Sequence, residues 1–499
     1  MAIDWYQLFH REHPFYTANA AIWRKSLMAY GGGGKYIQKA LIRHISEIEP
    51  EYLERLQRAC YVNFPRRIAT LITQYVFANK PTREGANPDM IEDFSRTGLR
   101  VDEVMRQFST YLNICGCAWL AVDMPIFSGV KSKQDELTER LRPYCVAISP
   151  LQVVDWCYGA DGLLDWVLVA ESAHDNSDPW RPAGTIQTRK LWTRESVSIV
   201  SVDSRTGERT ESVVEHNLGL VPFIRHTEID GYEINENHWF EDVVRISDAI
   251  FNAQSEAQMN IVKQMFGLLV IPEDFLDNVQ SQKSDTESTS GKGEPLSHTL
   301  ARSAAIFESA EGKGCSRYIS PSGTETAVIR AEIDAMKKDM FSVVGLASSK
   351  DTKMVETAEA KAWDFQNVEH YMQTRADILE QCETRAWQLM SAWNPALTVP
   401  KVVYNRNFAI LDLKESVATL LELSGFNPQN DEYQREIGKT AVVMLDRLKQ
   451  VPAKTISAIM TAISDSTPGT DAKRTAELVQ MMQGMTPDGG NIDASGIVE

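Results

Sequence analysis

Residues 324–346, TETAVIRAEIDAMKKDMFSVVGL, together with ASSKDTK at 347–353 and the run that ends at Trp393, decide the fold. The first segment places apolar residues at helical intervals, and Gly345 ends the pattern. The run 354–393 contains no Pro or Gly, so it predicts one helix of roughly 60 Å. Such a helix needs a large domain or neighbouring subunits to bury its apolar positions.

The composition is that of a large, acidic, globular chain. It has 499 residues, of which 43% are hydrophobic and 24% charged, and 51 basic against 68 acidic residues give a net charge of -17. This balance disfavours tight, sequence-independent binding of nucleic acid, because phosphate affinity comes from clustered Lys and Arg. The acidic charge balance is still compatible with weak contact to a polymer that slides past the protein.

The cysteines predict free thiols in a reducing compartment. Seven are scattered along the chain, only Cys115 and Cys117 are close, and neither a CxxC pair nor a metal-ligand spacing is present. Charged residues interrupt any apolar leader near the N-terminus, and the apolar run at 265–271 is too short to span a bilayer. We therefore expect a soluble protein, made in the cytoplasm, with no metal site and no membrane contact.

The order of predicted elements indicates an α+β protein that is mainly helical. Residues 1–120 predict helices, with the segment 49–78 bent or broken near Pro65, and residues 118–230 predict a β-rich insert. Residues 240–271 predict a helix that Pro272 ends. The remaining predictions are a Ser/Gly-rich loop at 280–297, two strands within 298–320, a returning strand within 394–408, and short helices over 413–483.

The segment GGGGK at 31–35 is the feature that suggests an enzyme. A phosphate-binding loop needs a preceding strand and a Ser or Thr after the Lys, but Tyr36 follows Lys35 and the preceding residues read as a helix. We favour a flexible loop here. His370 is interpreted as a helix-surface residue, since no HExxH segment surrounds it, and no catalytic residue is assigned.

Lysines mark the break between the two long helices. Lys350 and Lys353 flank Asp351, and such a loop can touch a polyanion lightly. Arg330, Lys337 and Lys338 lie on the preceding helix, where they fall on more than one face, so at most some of them could line a common surface.

This order of parts resembles the portal proteins of tailed double-stranded DNA bacteriophages. The phrases that carry the resemblance are ISPLQVVDW (148–156) with VLVAE (167–171), HNLGLVPFIRH (216–226), and ISPSGTETAVIRAEIDAMKKDMFSVVGL (319–346). Each phrase is short, and their order over residues 40–420 carries the weight.

The resemblance implies a division into wing, stem, clip and crown, with a β-rich insert in the wing and a small α/β clip. The implied parts are a wing of 1–240, stem helices at 241–271 and 321–346, a clip at 272–320, a tunnel loop at 347–353, a long wing helix and return strand at 354–412, and a crown-like region at 413–499. The implied DNA-facing residues are Ser348, Ser349, Lys350, Asp351 and Lys353 in the tunnel loop, with Arg330, Lys337 and Lys338 as further channel-lining candidates.

The resemblance also implies a function in the virion. It implies a ring, twelve-fold in the family, at one capsid vertex, through which double-stranded DNA is packaged and ejected. Implied partners are identical subunits, weakly bound DNA, the terminase large subunit, a head-tail adaptor, and the major capsid or scaffolding protein; no cofactor is implied. A nucleotide-dependent enzyme that uses GGGGK, and another connector or scaffold protein of a virion, remain the alternatives.

Overall fold

The computed structural model describes about two thirds of the chain. The described residues are 5–45, 47–125, 141–175, 184–228, 238–265, 268–272, 305–308, 317–319, 323–344, 358–406, 408, 432, 435–442 and 458–463. About half of them are helical, and most strand pairs are antiparallel, so the described part is a mixed α+β structure. The chain divides into two compact units, one of residues 1–408 and one of residues 409–499.

In sequence, the helices of the first unit lie mainly near its N-terminal and C-terminal ends. They are α1 (Trp5–His10), α2 (Pro14–Gly31), α3 (Gly34–Ala40), α4 (Glu49–Arg58), α5 (Phe64–Val76), α6 (Pro88–Glu92), α7 (Val101–Cys115), α8 (Trp239–Met265), α9 (Thr324–Val343) and α10 (Ala358–Trp393).

Most strands of this unit lie between α7 and α8 in sequence, and a few short strands lie elsewhere. They are β1 (Thr82–Glu84), β2 (Cys117–Asp123), β3 (Tyr144–Ile148), β4 (Val153–Tyr158), β5 (Leu164–Asp175), β6 (Gly184–Thr193), β7 (Ser196–Asp203), β8 (Arg209–Glu215), β9 (Phe223–Thr227), β10 (Leu268–Pro272), β11 (Ala305–Glu308), β12 (Arg317–Ile319) and β13 (Lys401–Val403).

A three-stranded sheet of order β3-β2-β9 separates two hydrophobic cores. Its central strand, β2, is apolar on both faces, as a strand covered on both sides must be. Ala118, Leu120 and Val122 belong to the core formed with α5, α7, α8, α9 and α10. The alternate residues Cys117, Trp119 and Ala121 belong to the core formed with α2 and the larger sheet.

The larger sheet is a five-stranded antiparallel meander of order β4-β5-β6-β7-β8. Gly162 and Gly207 adopt positive φ angles of 74° and 70° in the turns before β5 and β8. Gly occupies both positions because it is the residue that adopts left-handed backbone without strain.

Helices α8 and α9 form an antiparallel hairpin. Gly323 lies against Gln264, so the start of α9 is beside the end of α8, while Met340 near the other end of α9 is fully buried in the core with Ile250 of α8. A small sheet of order β11-β10-β12 lies between the two helices in sequence, with β10 parallel to β11 and antiparallel to β12. The hairpin therefore joins the body at one end and carries this sheet at its tip.

The long helix α10 has 36 residues, which corresponds to about 54 Å. Its residues from Met372 to Met390 supply buried side chains to the core that also contains α5 and α7. After the helix, β13 pairs antiparallel with β1, so the chain returns against a strand more than 300 residues earlier. The predicted long helix and return strand are both present.

Two predictions are wrong and one is confirmed. The first long helix ends at Met265 and residues 268–272 form β10, because a short apolar run such as LLVI fits strand as well as helix. The stretch at 31–35 is a short turn and not a longer flexible loop, since Gly31 ends α2 and Gly34 and Lys35 begin α3. The break predicted near Pro65 is present, because residues 59–63 separate α4 from α5, and Pro65 lies in the first turn of the new helix, where its missing N–H costs nothing.

In the second unit, residues 435–442 and 458–463 are helical. Ile437, Ala441 and Val442 are buried, and Gly438 lies against Ile463. The described part of this unit thus contains two packed helical segments.

Candidate assembly and nucleic-acid surfaces

An ion pair between a buried arginine and a partly exposed glutamate fixes the base of the helical hairpin. Arg375, in the middle of α10, is 1% exposed, and its Nη1 lies 2.8 Å from Oε1 of Glu228, just after β9. His238, just before α8, lies 3.3 Å from the other oxygen of Glu228. Burial alone raises the pKa of Glu228, but the charge of Arg375 and the hydrogen bonds outweigh it, so this pKa lies below its ordinary value. The start of α8 is therefore held to α10 and to the end of β9.

A second buried network holds the chain return. Glu383 of α10 is fully buried and accepts hydrogen bonds from Arg83 of β1 at 2.6 and 3.0 Å. The hydroxyl of Tyr404, just after β13, donates to the same carboxylate at 2.6 Å, and Trp387 Nε1 donates at 3.2 Å. Oδ1 of Asp102 lies 2.7 Å from Nη2 of Arg83, the nitrogen that also donates to Glu383. This network ties β1, α10 and the segment after β13 together.

Helix α9 has a different chemistry on each of its sides. At about 100° per residue, Thr326, Ile333 and Met340 share one stripe, and these residues are buried. Arg330, Lys337 and Lys338 lie on one flank of this stripe, and Glu325, Glu332 and Asp339 lie on the other; we call them the basic flank and the acidic flank. All six are exposed except Lys337, which is half-buried. The side opposite the buried stripe carries small exposed residues, Ala327, Ala331, Ala335 and Ser342.

This arrangement corrects the expectation that the three cations fall on more than one face. Arg330, Lys337 and Lys338 lie within an arc of about 100°, since the eight-residue step from 330 to 338 is little more than two turns. Asp334 lies in the same arc, 2.9 Å from Lys337, and the ammonium holds the pKa of Asp334 below its ordinary value. The basic flank therefore keeps a net positive charge.

The predicted tunnel-loop residues Ser348, Ser349, Lys350, Asp351 and Lys353 lie outside the described residues. Their role as DNA contacts stays a prediction. On α9, the side chains of Arg330 and Lys338, which belong to the basic flank, are exposed to solvent.

Lys35 does not lie in a phosphate-binding geometry. Gly32 and Gly33 have φ angles of 65° and 87° and make the turn between two helices, whereas a phosphate loop follows a strand. Within the described ranges, no cluster of three or more His, Cys, Asp or Glu side chains could hold a metal ion. No described helix is long and apolar enough to cross a membrane.

Sequence reasoning missed an exposed apolar loop between α3 and α4. Ile42, Ile45 and Ile48 are 69%, 97% and 59% exposed, and we call them the isoleucine loop. Arg55, 5% exposed, holds the loop from beneath by donating to Glu47 at 2.7 and 2.8 Å and to the carbonyl of Ile42. The three-residue spacing of the isoleucines was the available signal, but periodicity alone would have placed them on a buried face.

Apolar side chains are also exposed around the tip of the hairpin. Met265, Tyr318 and Val328 are 73%, 72% and 69% exposed, and Ile319 is 47% exposed. Clustered apolar exposure of this kind is typical of surfaces that contact another protein.

Comparison with known proteins gives distant structural similarity only. No family model and no curated protein matches the chain. Solved structures do match: a chain in the neck of an empty gene transfer agent (GTA) particle computed with C6 symmetry is 12% identical, with a TM-score of 0.39 over 78% of this chain and 93% of that one. A chain in the virion of a native GTA particle is 12% identical, with a TM-score of 0.38 over 83% and 98%. One in the neck of a native GTA particle computed with C12 symmetry is 10% identical, with a TM-score of 0.37 over 77% and 92%.

Proposed function

We propose that this chain is the subunit of a ring-shaped portal at one vertex of a phage-type capsid, a conduit for double-stranded DNA during packaging and ejection. The observation that carries the proposal is the α8–α9 hairpin, which stands on the body, bears a small sheet at its tip and is followed by the long helix α10. In this assignment the hairpin is the stem, the tip sheet belongs to the clip, and the body with α10 is the wing.

The opposite flanks of α9 support a ring of identical copies. In a head-to-tail ring each subunit presents one surface to the next copy and a different surface to the previous one. A helix with a basic and an acidic flank suits that arrangement, because the two flanks attract when copies stand side by side.

The charge balance supports passage of DNA without tight binding. The net charge of -17 is repeated in every subunit, so the assembled ring is strongly acidic and repels phosphates at long range. Lys350 and Lys353, in the predicted tunnel loop, give each subunit two cations for weak, salt-screened contact with the DNA backbone. Low affinity is what a sliding duplex requires.

Exposed apolar residues at the tip supply a surface for partners. Tyr318 and Ile319 of β12 and Met265 at the end of α8 are exposed where a head-tail adaptor, and during packaging the terminase large subunit, would dock. The major capsid or scaffolding protein would contact the wing. We propose no catalytic role, so the energy for packaging comes from the terminase.

End-on images of the purified full chain by electron microscopy test this proposal. We expect closed rings with a central hole wide enough for B-form DNA, and a mass by native mass spectrometry equal to a whole number of subunits near twelve. A chain that stays monomeric at high concentration and also in assembled particles would refute it.

A further inference from the structure

We propose that α9 of one subunit lies beside α9 of the next, basic flank against acidic flank, so that Arg330 and Lys338 hold the ring together and do not line the DNA channel. This inference rests on the proposed ring. It assigns these two cations a partner of defined chemistry, the carboxylates of Glu332 and Asp339 on a second copy of this chain, while Lys337 keeps Asp334 of its own helix.

The angular positions on α9 permit this contact. With Arg330 taken as the reference, Lys337 and Lys338 lie within about 80° of it, while Asp339 and Glu332 lie about 180° and 200° away. The buried stripe of Ile333 and Met340 occupies the sector between the two flanks, at about 280° to 300°. Once that stripe is packed on the molecule's own core, the two flanks project to opposite sides.

The heights of the charges along the helix also match. Rotation about a ring axis places equivalent residues of all copies at one level. Arg330 is two residues from Glu332, and Lys338 is one residue from Asp339, which are offsets of about 3 Å and 1.5 Å along the helix. Long Arg and Lys side chains reach across such offsets, so each copy brings two cations level with two carboxylates of its neighbour.

Glu332 and Asp339 have no ion-pair partner among the described residues of their own chain, and Arg330 has none there either. Val328 and Val343, on the same side as the acidic flank, are 69% and 45% exposed. A neighbouring helix would bury these valines and exclude water from the charges beside them, which strengthens the attraction.

The inference separates two roles for the same cations. If they face DNA, reversing their charge alters DNA passage and leaves the ring intact. If they face the next copy, reversal places carboxylates against carboxylates and prevents closure, because like charges at an interface are strongly unfavourable.

The test uses the full chain with paired charge reversals. Variant one carries Arg330→Glu and Lys338→Glu, so both flanks are acidic; variant two carries Glu332→Lys and Asp339→Lys, so both flanks are basic. A control carries Lys35→Glu and Lys39→Glu, two exposed cations of α3. Circular dichroism and thermal unfolding of each variant establish that the subunit is folded.

We expect the ring fraction, counted in electron micrographs, to fall about tenfold or more for variants one and two and to be unchanged for the control. A mixture of variants one and two should form rings again, with alternating copies identified by native mass spectrometry of one isotope-labelled variant. A chain with all four reversals should also assemble by itself, because its flanks are exchanged and remain complementary.

Several outcomes would overturn the inference. Normal rings from variant one or two would show that the flanks do not meet, while leaving the portal proposal intact. Normal rings combined with defective DNA packaging would assign the cations to the channel. Absence of rings from the unaltered chain would refute the portal proposal and this inference together.

Discussion

Replacing Glu383 by Gln tests the buried network that closes the first unit. Glu383 is fully buried, and the guanidinium of Arg83, with 6% of its side chain exposed, lies 2.6 Å from it. Gln keeps the shape of Glu but loses the charge, and its amide N–H would face the donors of Arg83 or Tyr404. The variant therefore leaves a buried cation without its main counter-charge.

The expected cost follows from this geometry. Removing one partner of a buried ion pair costs about 3–5 kcal/mol. Asp102 remains 2.7 Å from Arg83 and is 24% exposed, so it compensates in part and we expect the lower end, about 3 kcal/mol. In a unit of 408 residues, a loss of about 3 kcal/mol corresponds to a fall in Tm of about 3–4 °C.

Two measurements check the expected loss of stability in Glu383→Gln. Urea unfolding followed by tryptophan fluorescence gives the change in the free energy of unfolding, and hydrogen exchange of the β1 and β13 peptides should accelerate, because the network ties these strands to α10. Asp377→Asn is the matched control on the same helix, since the ion pair of Asp377 with Arg406 is half exposed and should contribute at most about 1 kcal/mol. If Glu383→Gln costs no more than Asp377→Asn, the assigned role of the network is wrong.

Three further predictions concern acid stability, the tunnel loop and the glycine run. Since the pKa of Glu228 in the folded chain lies below its ordinary value of 4.5, its stabilisation is complete above that value and is lost as pH falls through the folded pKa. Unfolding free energies measured from neutral to acid pH should show this loss in the native chain and not in Glu228→Gln; an identical pH profile in both would contradict it. Reversing Lys350 and Lys353 to Glu should leave rings intact in electron micrographs but lower the yield of packaged genomes, whereas loss of the ring would make these lysines structural. Lys35→Ala should leave ATP turnover at background, as in the unaltered chain, and turnover abolished by this change would restore the enzyme alternative.

Strong local periodicity made much of the fold predictable. The patterns of α9 and α10 each extend over several turns, so the helix identity was decided by many residues together. Strand β2 was predictable because its residues are apolar without alternation and follow a helix that ends at Gly116, whose φ of 63° permits the sharp turn.

Other features have no local signal. Arg83 and Glu383 are 300 residues apart, and nothing in either neighbourhood identifies the other as its partner. The strand at 268–272 was assigned to the preceding helix because an apolar run of that length has no distinguishing period. The faces of α9 were within reach of the sequence, since they follow from counting residues around the helix, but which face is buried depends on contacts with α8 and the body.

The isoleucine loop has a consequence for the solubility of the protein. A side chain as exposed as Ile45 gains almost no free energy from the folding of its own chain, and the hydrogen bonds of Arg55 to Glu47 and to the carbonyl of Ile42 hold the loop on both sides of it. The folded chain therefore presents apolar surface to water at this point. At high concentration we expect copies to associate through these isoleucines unless a partner covers them.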